Sequence, residues 1–196
     1  MDFIIATNNK DKVKEIKAIL VGHNVMSQSE AGINVEAIED GTTFEENALI
    51  KARSIKALTD CAIIADDSGI EVDHLLGAPG IYSARYAGEG CTTDDCNEKL
   101  LRELGGVPYE KRTARYVCAM ALVLPDGSER TFLGKCEGYI LDEYRGSNGF
   151  GYDPLFFKPE IDMTFGEAPS EVKDKMSHRY LALKELSGFL KQKKLL

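Results

Sequence analysis

Adjacent acids stand in the stretch IIADDSGIEVD, residues 63–73. Three apolar residues lead directly into Asp66 and Asp67, and Ser68 and Gly69 follow. Neighbouring carboxylates repel each other unless a cation lies close by. Hard divalent cations such as Mg²⁺ bind one or two carboxylates and complete their shell with water and substrate phosphates. The stretch therefore predicts a metal site at a strand end, although a turn closed by an Asx-type bond to Gly69 also fits.

Further acids lie in a loop just before the second predicted helix and in the first turn of that helix. Glu39 and Asp40 belong to the loop, whereas Glu45 and Glu46 fall in the first helical turn. Carboxylates in a first turn complement the helix dipole, which is the interpretation we favour for the latter two. A strand-end aspartate together with the loop glutamate would be enough to hold Mg²⁺.

The segment ATNNKDK, residues 6–12, has the composition of an anion site. An apolar strand ends, a polar turn follows and a helix begins, so that free backbone N–H groups and positive charge come together. The charges are those of Lys10 and Lys12. The segment predicts phosphate binding, although Asn8 could simply cap the helix while the lysines are solvated.

The segment SNGFGYDPLFF, residues 147–157, suggests a binding site for a flat ligand. Gly149 and Gly151 bracket Phe150, and Tyr152 and Asp153 follow. The glycines allow close backbone approach, an aromatic face can stack on a base, and a carboxylate can accept ring N–H groups. A tight loop with Phe150 in the core is the alternative.

The start of the last helix places cations where the helix dipole disfavours them. In EVKDKMSHRYLAL, residues 171–183, Ser177 can cap the helix, so His178 and Arg179 fall in its first turn. These two residues therefore suggest contact with a ligand, although a single histidine is more often structural.

Composition excludes several classes of protein. The chain of 196 residues carries a net charge of −8 with a pI near 5.0, which gives no indication of nucleic-acid binding. Its short N-terminal apolar run predicts neither a signal peptide nor a membrane span. The five cysteines form no CxxC pair, so we expect reduced, mostly buried thiols in a cytoplasmic protein. Cys91 and Cys96 could bind metal, but no second His or Cys pair completes a site.

Strand and helix patterns alternate early in the chain, and a hairpin comes late. This order predicts one α/β domain over residues 1–196, with a mixed, twisted sheet, flanking helices and two lobes around a central cleft. A capping box of Thr43 and Glu46 is expected at the second helix. The predicted strands cover residues 2–6, 24–28, 33–38, 61–65, 114–124, 129–141 and 155–157. The predicted helices follow Asn8–Asn9 and cover about 43–58, 93–104 and 178–192.

Several of these motifs together resemble one family, the inosine/xanthosine triphosphate pyrophosphatases, also called the Ham1 or RdgB-like family. The resemblance is in the segments ATNNKDKVKEI, FEENALIKA, IADDSGIEVDHLLGAPGIYSARYAG, FGYDPLFF and KMSHR, which run in order from end to end of the chain. It implies a homodimeric hydrolase that converts ITP, dITP and XTP to monophosphates and pyrophosphate with Mg²⁺.

The resemblance also implies roles for individual residues. Asp67 would be catalytic and, with Glu39, would bind the metal. Residues proposed to bind substrate are Thr7, Asn8, Asn9, Lys10, Asp11, Lys12, Lys51, Ser68, Phe150, Gly151, Tyr152, Asp153, Lys173, His178 and Arg179. Asp66 would either share the site electrostatically or hold the turn.

The expected reaction is attack of water on the α-phosphorus, with Asp67 or a neighbouring acid accepting the proton. Lys10, Lys12 and Lys51 would neutralise the departing pyrophosphate. Inosine and xanthosine carry an acceptor oxygen at position 6, where adenine carries a donor, so side-chain donors near the base would discriminate between them.

Two other functions fit the same residues. One is a pyrophosphatase of similar fold that acts on pyrimidine or modified nucleotides, and the other is a non-catalytic nucleotide sensor.

Overall fold

The computed structural model describes residues 1–195, except for the side chains of Lys10 and Asp11. The strands are β1 (Asp2–Ile5), β2 (Asn24–Ser27), β3 (Ala62–Val72), β4 (Thr113–Val123), β5 (Glu129–Ile140), β6 (Phe156–Lys158) and β7 (Met163–Thr164). The α-helices are α1 (Lys10–Ile19), α2 (Phe44–Lys56), α3 (Thr93–Glu103), α4 (Ser170–Lys173) and α5 (His178–Gln192). Short 3₁₀ helices, Asp73–Leu75 and Gly80–Arg85, occur in the long loop after β3.

The strands form a seven-stranded sheet in the order β2-β1-β3-β4-β5-β6-β7. β1 pairs in parallel with both β2 and β3, whereas β6 pairs antiparallel with β5 and β7. The predicted α/β fold with a mixed sheet is therefore confirmed. The predicted hairpin is present as the turn that joins β4 to β5, in which Leu124 donates its backbone N–H to the carbonyl of Ser128.

The chain divides into two compact units. Unit 1 contains Met1–Asp67, Cys118–Gly134 and the chain from Leu181 onward. Unit 2 contains Ser68–Val117 and Lys135–Tyr180. The strands β3, β4 and β5 and the helix α5 each contribute residues to both units.

The core of unit 1 follows the alternation of its strands. Phe3 and Ile5 of β1 and Ala62 and Ile64 of β3 lie in one buried cluster with apolar residues of α1 and α5. Side chains in a strand alternate between its two faces, so Ile63, Ala65 and Asp67 lie on the opposite face. Asp66 thus continues the row of Ala62 and Ile64.

The core of unit 2 is a separate aromatic-rich cluster. Tyr116 of β4, Phe156 of β6 and Phe165 pack together with ring centroids 4.7–6.1 Å apart. Leu100 and Leu104 at the end of α3 belong to the same cluster. These residues bury the apolar side of α3 and fix the segment that carries Phe150 to Asp153.

One strand is longer than the sequence predicted. β3 does not stop at residue 65; it continues through both aspartates and on to Val72. The prediction of a strand end at the two acids was therefore wrong. The charges are compatible with a strand interior because each of them contacts a lysine.

A second prediction was also wrong: residues 33–38, which lie within the described chain, form no strand. Their exposure does alternate from residue to residue, as the sequence pattern indicated. However, the backbone N–H of Ile33 and the carbonyl of Val35 bond to the backbone and side chain of Gln28. The pattern therefore reports an extended segment outside the sheet.

The helix starts agree with the sequence except in one detail. Thr43 caps α2 by accepting the N–H of Glu46 at 3.1 Å. The Glu46 carboxylate does not complete the predicted box, because it accepts the N–H and hydroxyl of Thr42 instead. Ser177 caps α5 as predicted by accepting the N–H of Tyr180. Over residues 1–195, no helix combines the length and the hydropathy needed to cross a bilayer.

Candidate functional site

Unit 1 contains a polar pocket of about 330 Å³. Several residues that the sequence singled out lie together in its wall. They are Thr7, Lys12, Glu39, Lys51 and Asp66, and the extended segment adds Val35, Glu36 and Ala37. The extended segment 33–38, which was predicted as a strand, thus forms part of the wall of this pocket.

Asp66 and Asp67 have different surroundings because they lie on opposite faces of β3. Asp66 is 2% exposed and lies 2.7 Å from Nζ of Lys12 in α1. Asp67 instead contacts two side chains of α2. Each of the two adjacent charges thus has a direct contact with a different lysine, and Lys51 also feels the charge of Asp66.

Lys51 joins the two carboxylates that the sequence predicted as metal ligands. Its Nζ lies 3.0 Å from Oε2 of Glu39 and 3.1 Å from Oδ1 of Asp67. Burial by itself lowers the pKa of Lys51, but the charges of Asp67, Glu39 and Asp66 outweigh it and the net pKa is raised. The lysine is thus a cation held at the point toward which both acids converge.

Asn47 is a site residue that the sequence analysis missed. Its Nδ2 donates to Oδ2 of Asp67 at 3.3 Å, and its Oδ1 accepts the backbone N–H of Gly41 at 2.9 Å. It thereby ties the Glu39 loop to β3 through α2. A signal was present: Asn47 falls on the buried side of an amphipathic helix, where a polar residue needs a partner.

Burial raises the pKa of the Asp67 carboxyl, and Glu39 adds to this effect. Lys51 and Asn47 oppose it by bonding to the charged form. A raised pKa makes a carboxylate a stronger proton acceptor than an ordinary aspartate. This raised pKa describes Asp67 without a bound cation, and a cation held by Asp67 would lower it.

The carboxylates that contact Lys51 fit Mg²⁺. Among residues 1–195, no group of three or more His, Cys, Asp or Glu side chains is arranged as a metal site. Mg²⁺ commonly uses only one or two carboxylates, and two hard oxygen donors already converge on one cation position at Lys51. Glu39 and Asp67 therefore meet the chemical requirement.

The N-terminus of α1 is capped by Asn9, whereas the sequence analysis had considered Asn8 for this role. Oδ1 of Asn9, not of Asn8, accepts the N–H of Lys12 at 3.3 Å. Thr7 accepts the N–H of Asn9 at 3.2 Å. Asn8 and Asn9 are exposed. The predicted contacts of Lys10 and Asp11 with substrate concern side chains outside the described residues.

Unit 2 contains a second, mainly apolar pocket of about 250 Å³. Five of the predicted substrate residues lie in its wall: Ser68, Phe150, Gly151, Tyr152 and His178. The other lining residues are Gly69, Ser83, Ala84, Thr93, Cys96 and Tyr116. Aromatic and apolar lining suits a flat ring system.

Asp153 organises the loop beneath this pocket. It is 1% exposed, and its Oδ2 accepts the backbone N–H of Phe150 at 2.8 Å and a bond from Nζ of Lys173. Its Oδ1 accepts the hydroxyl of Tyr116 at 3.1 Å. A carboxylate with its acceptor sites filled in this way fixes the loop rather than the ligand.

Phe150 is held by cations yet remains 56% exposed. Nζ of Lys173 lies 4.7 Å from the ring centroid, and Cζ of Arg179 lies 5.9 Å from it. The alternative of a core position for Phe150 is therefore wrong. An aromatic face that is exposed and orientated can stack on a planar ligand.

Tyr116 is the second residue that the sequence analysis missed. Its ring stacks on that of His178 at 4.8 Å and 11°, while its hydroxyl donates to Asp153. Burial, together with the Asp153 charge, raises its pKa well above the ordinary value, so the hydroxyl stays protonated. An internal strand position gave no sequence signal for this role. His178 and Arg179 are both buried at the start of α5.

Known proteins resemble the chain over nearly its whole length. A Ham1 family model matches residues 3–189. A dITP/XTP pyrophosphatase of Bacillus licheniformis is 50% identical over 193 residues, covering 97% of this chain and 98% of the relative. That of Bacillus subtilis is 49% identical over 189 residues, covering 95% and 96%. The solved Ham1 protein of Staphylococcus aureus is 42% identical with a TM-score of 0.92, covering 98% and 100%. The chain belongs to the Ham1 family.

Proposed function

We propose that this protein hydrolyses dITP, XTP and ITP to the monophosphate and pyrophosphate, and so removes non-standard purines from the nucleotide pool. The observation that carries the proposal is the convergence of Glu39 and Asp67 on Lys51, with Glu39 and Lys51 in the wall of the polar pocket. The names of the relatives, dITP/XTP pyrophosphatase, support the substrate class.

The phosphate chain is assigned to the pocket of unit 1. Its wall carries Lys12 and Lys51, and the turn at Thr7 to Asn9 leads into the N-terminus of α1. Backbone N–H groups at a helix start and lysine ammonium groups both favour bound phosphate. The side chains of Lys10 and Asp11 are assigned to the same task by the family resemblance.

Glu39 and Asp67 would hold Mg²⁺, which when bound neutralises phosphate charge and lowers the pKa of a bound water. Lys51 now links these two carboxylates. Its ammonium group would then be available to the phosphate oxygens.

Asp67 is assigned as the catalytic base. Oδ2 of Asp67 has only a weak 3.3 Å bond from Asn47, so it retains acceptor capacity for the proton of the attacking water. Lys51 orients the carboxylate through Oδ1 at 3.1 Å. Lys12 and Lys51 stabilise the charge that develops on the departing pyrophosphate.

The base is assigned to the pocket of unit 2. Phe150 offers a face for stacking, and Ser68 and Tyr152 line the wall. Donors on His178 and Arg179 can meet the oxygen at position 6 of hypoxanthine or xanthine. Adenine would present a donor to these donors, and such mismatches discriminate strongly.

The remaining proposals concern the protein as a whole. We propose a homodimer in the cytoplasm that binds no nucleic acid and has one functional domain over residues 1–196. The five free cysteines are compatible with a reducing compartment. Three of them, Cys96, Cys118 and Cys136, are buried.

Replacement of Asp67 by Asn tests the proposed chemistry. Asp67→Asn should lower kcat for dITP by roughly 10²-fold or more, because the base is lost, while dITP binding measured by calorimetry persists. Asp60→Asn is the matched control, because Asp60 is an exposed acid of the same unit. Near-normal kcat in Asp67→Asn would exclude the base role.

A substrate panel separates the proposed function from its alternatives. Pyrophosphate release with Mg²⁺ should be fastest for dITP, XTP and ITP among purines and pyrimidines. Preferential turnover of dTTP or UTP would favour the pyrimidine enzyme. Tight binding of every nucleotide without turnover would favour the sensor.

A further inference from the structure

Two cysteines flank the start of α3 at matched positions. Thr92 is the N-cap of this helix, so Cys91 is the residue before the cap and Cys96 is the fourth helical residue. These are the positions that a hydrophobic staple uses to fix the angle at which the chain enters a helix. The two Sγ atoms are 3.3 Å apart.

The local backbone holds this pair in place. Thr92 and Asp95 form a complete capping box, with Thr92 Oγ1 accepting the N–H of Asp95 at 3.1 Å and Asp95 Oδ2 accepting the N–H of Thr92 at 2.8 Å. The segment between the two sulfurs is therefore ordered. To reach the usual disulfide length of about 2.05 Å, the two sulfurs would have to approach each other by about 1.2 Å.

The pair differs in accessibility. Cys96 is buried, whereas Cys91 is partly exposed. A small disulfide from solution can therefore reach Cys91 first, with Cys96 placed behind it as the resolving thiol. The hydrogen bond with Cys96 raises the pKa of the Cys91 thiol, so its reactive thiolate becomes more abundant as the pH rises.

Cys96 also belongs to the wall of the unit 2 pocket, together with Thr93 and Tyr152. The next residue, Asn97, donates from Nδ2 to the carbonyl of Gly151 at 3.1 Å. The first turn of α3 thus contacts the loop that presents Phe150. A change at Cys96 is transmitted to the pocket by direct contact.

We propose that Cys91 and Cys96 form a reversible disulfide that adjusts the binding pocket of unit 2. The site would react with low-molecular-weight disulfides of the glutathione class. That part of the proposal which concerns nucleotide affinity rests on the function proposed above, whereas the disulfide itself does not.

The reaction balances as two thiol–disulfide exchanges. The Cys91 thiolate attacks the disulfide RSSR, forming a Cys91–SR bond and releasing RS⁻. The Cys96 thiolate then attacks Sγ of Cys91, forming the intramolecular disulfide and releasing a second RS⁻. The two protons from the cysteines end on the two RSH molecules, so two protein thiols are oxidised and one RSSR is reduced.

Peptide mapping tests the modification independently of activity. Trypsin cleaves after Arg85 and Lys99, so the peptide Tyr86–Lys99 contains both cysteines. After treatment of the folded protein with oxidised glutathione, this peptide should be lighter by two hydrogen atoms. The thiol count of the denatured protein should fall from the five cysteines by two. Dithiothreitol should reverse both changes.

Two single variants make this test specific. Cys91→Ser should keep its remaining thiols or carry a glutathione adduct, without the internal bond. Cys61→Ser is the matched control, because Cys61 is equally part-exposed and should leave the internal bond unaffected. An unchanged peptide mass, or adducts without ring closure in the wild-type chain, would overturn the proposal.

Kinetics test the link to the pocket. Oxidation should change KM for dITP by about two-fold or more with little change in kcat, since the groups assigned to the chemistry are in unit 1. The change should be absent in Cys91→Ser. Formation of the disulfide with an unaltered KM would refute the link. Absence of turnover with every nucleotide would refute the proposed function and leave the mapped disulfide standing.

Discussion

Asp153 shows how much of the unit 2 pocket depends on one buried carboxylate. It accepts bonds from Tyr116, Phe150 and Lys173, and it is itself almost inaccessible. A buried charge is tolerated only when its acceptor sites are filled. Tyr116 and Phe150 line the pocket, and Lys173 lies against the ring of Phe150. Loss of any one of these hydrogen bonds should therefore change the shape of the pocket.

Tyr116→Phe should separate positioning from simple packing. The ring and its stack on His178 remain, but Oδ1 of Asp153 loses a donor. We expect a loss of about 1.5–3 kcal/mol in the free energy of unfolding, the range for hydrogen bonds to charged groups, together with a higher KM for dITP. Urea denaturation and steady-state kinetics measure the two effects.

Tyr139→Phe is the control for this variant. Tyr139 is another strand tyrosine, whose ring stacks on Tyr109 at 4.8 Å. Tyr139→Phe should leave KM for dITP unchanged. It should change the free energy of unfolding by no more than about 0.5 kcal/mol. Equal effects of the two variants would mean that the Tyr116 hydroxyl has no special role.

Gly149 is required for a spatial reason in addition to its backbone conformation. Its φ is +76°, and a Cβ there would fall on the carboxylate of Asp153. Gly151 has a similar φ of +64°, but its Cβ would be 4.0 Å from the Tyr116 hydroxyl. The pair therefore separates backbone strain from collision.

Gly149→Ala should consequently cost more than Gly151→Ala. We expect about 1–2 kcal/mol for Gly151→Ala from the left-handed backbone alone. Gly149→Ala should lose at least about 1 kcal/mol more, because the carboxylate must move. Urea unfolding of both variants tests this, and equal losses would show that Asp153 yields without cost.

Sequence reasoning located the residues with distinctive chemistry but not their supports. Lys12, Glu39 and Lys51 stand out by charge, and the structure brings them to one pocket. Asn47 and Tyr116 were missed because their roles depend on partners 20 and 37 positions away. Single-sequence patterns report on near neighbours, so such pairings become visible only in the fold.

At the scale of elements, periodicity predicted helices better than strand ends. α5 begins at His178 and ends at Gln192, as expected. β3 was predicted too short because charge was taken as the end of a buried strand. The box at α3 was not predicted either, because its third helical residue is Asp95 instead of the usual Glu or Gln. In β3 the lysine partners of the two aspartates allow the strand to continue. In α3 the local bonds between Thr92 and Asp95 form the box with an unusual residue.

The cap of α5 can be tested by a graded substitution. Ser177→Ala removes the oxygen that accepts the Tyr180 N–H and should cost about 1 kcal/mol. Ser177→Gly should cost only a few tenths of a kcal/mol, since glycine suits cap positions. Thermal unfolding distinguishes the two. Equal costs would indicate that the hydroxyl is not the stabilising group.

At the scale of the whole molecule, eight separate carboxylates determine how stability responds to acid. Each of them has a lowered pKa, and the largest cause is a hydrogen bond that the carboxylate accepts. The groups are Glu30, Glu46, Asp73, Asp95, Asp126, Glu129, Glu160 and Glu167. Asp67, whose pKa burial raises, acts in the opposite direction as one group.

Stability should therefore fall in acid. Because the folded pKa values are below the ordinary 3.8 for Asp and 4.5 for Glu, the unfolded chain binds more protons there. The stabilisation is complete above those ordinary values and is lost as pH falls through the lower folded values. Urea midpoints should be constant from about pH 7 to pH 5 and decline toward pH 3. A flat profile would contradict this.

Glu129→Gln tests one of these eight carboxylates. Arg53 forms a fork of two bonds to Glu129 at 2.8 and 2.6 Å, but both side chains are substantially exposed. The variant should lose at most about 1 kcal/mol at pH 7, and this loss should shrink as the pH falls below the ordinary Glu value of 4.5. A loss that is the same at pH 7 and at pH 3 would assign the effect to packing instead of charge.

β3 has a consequence for how this chain can diverge. Asp66 and Asp67 reach different lysines only because they occupy consecutive positions on a pleated strand. Removal or insertion of one residue between Ala62 and Ala65 would exchange their faces and part each acid from its lysine. The number of residues in this stretch is therefore under stricter constraint than the identity of any one of them, because a change of one residue would affect both acids at once.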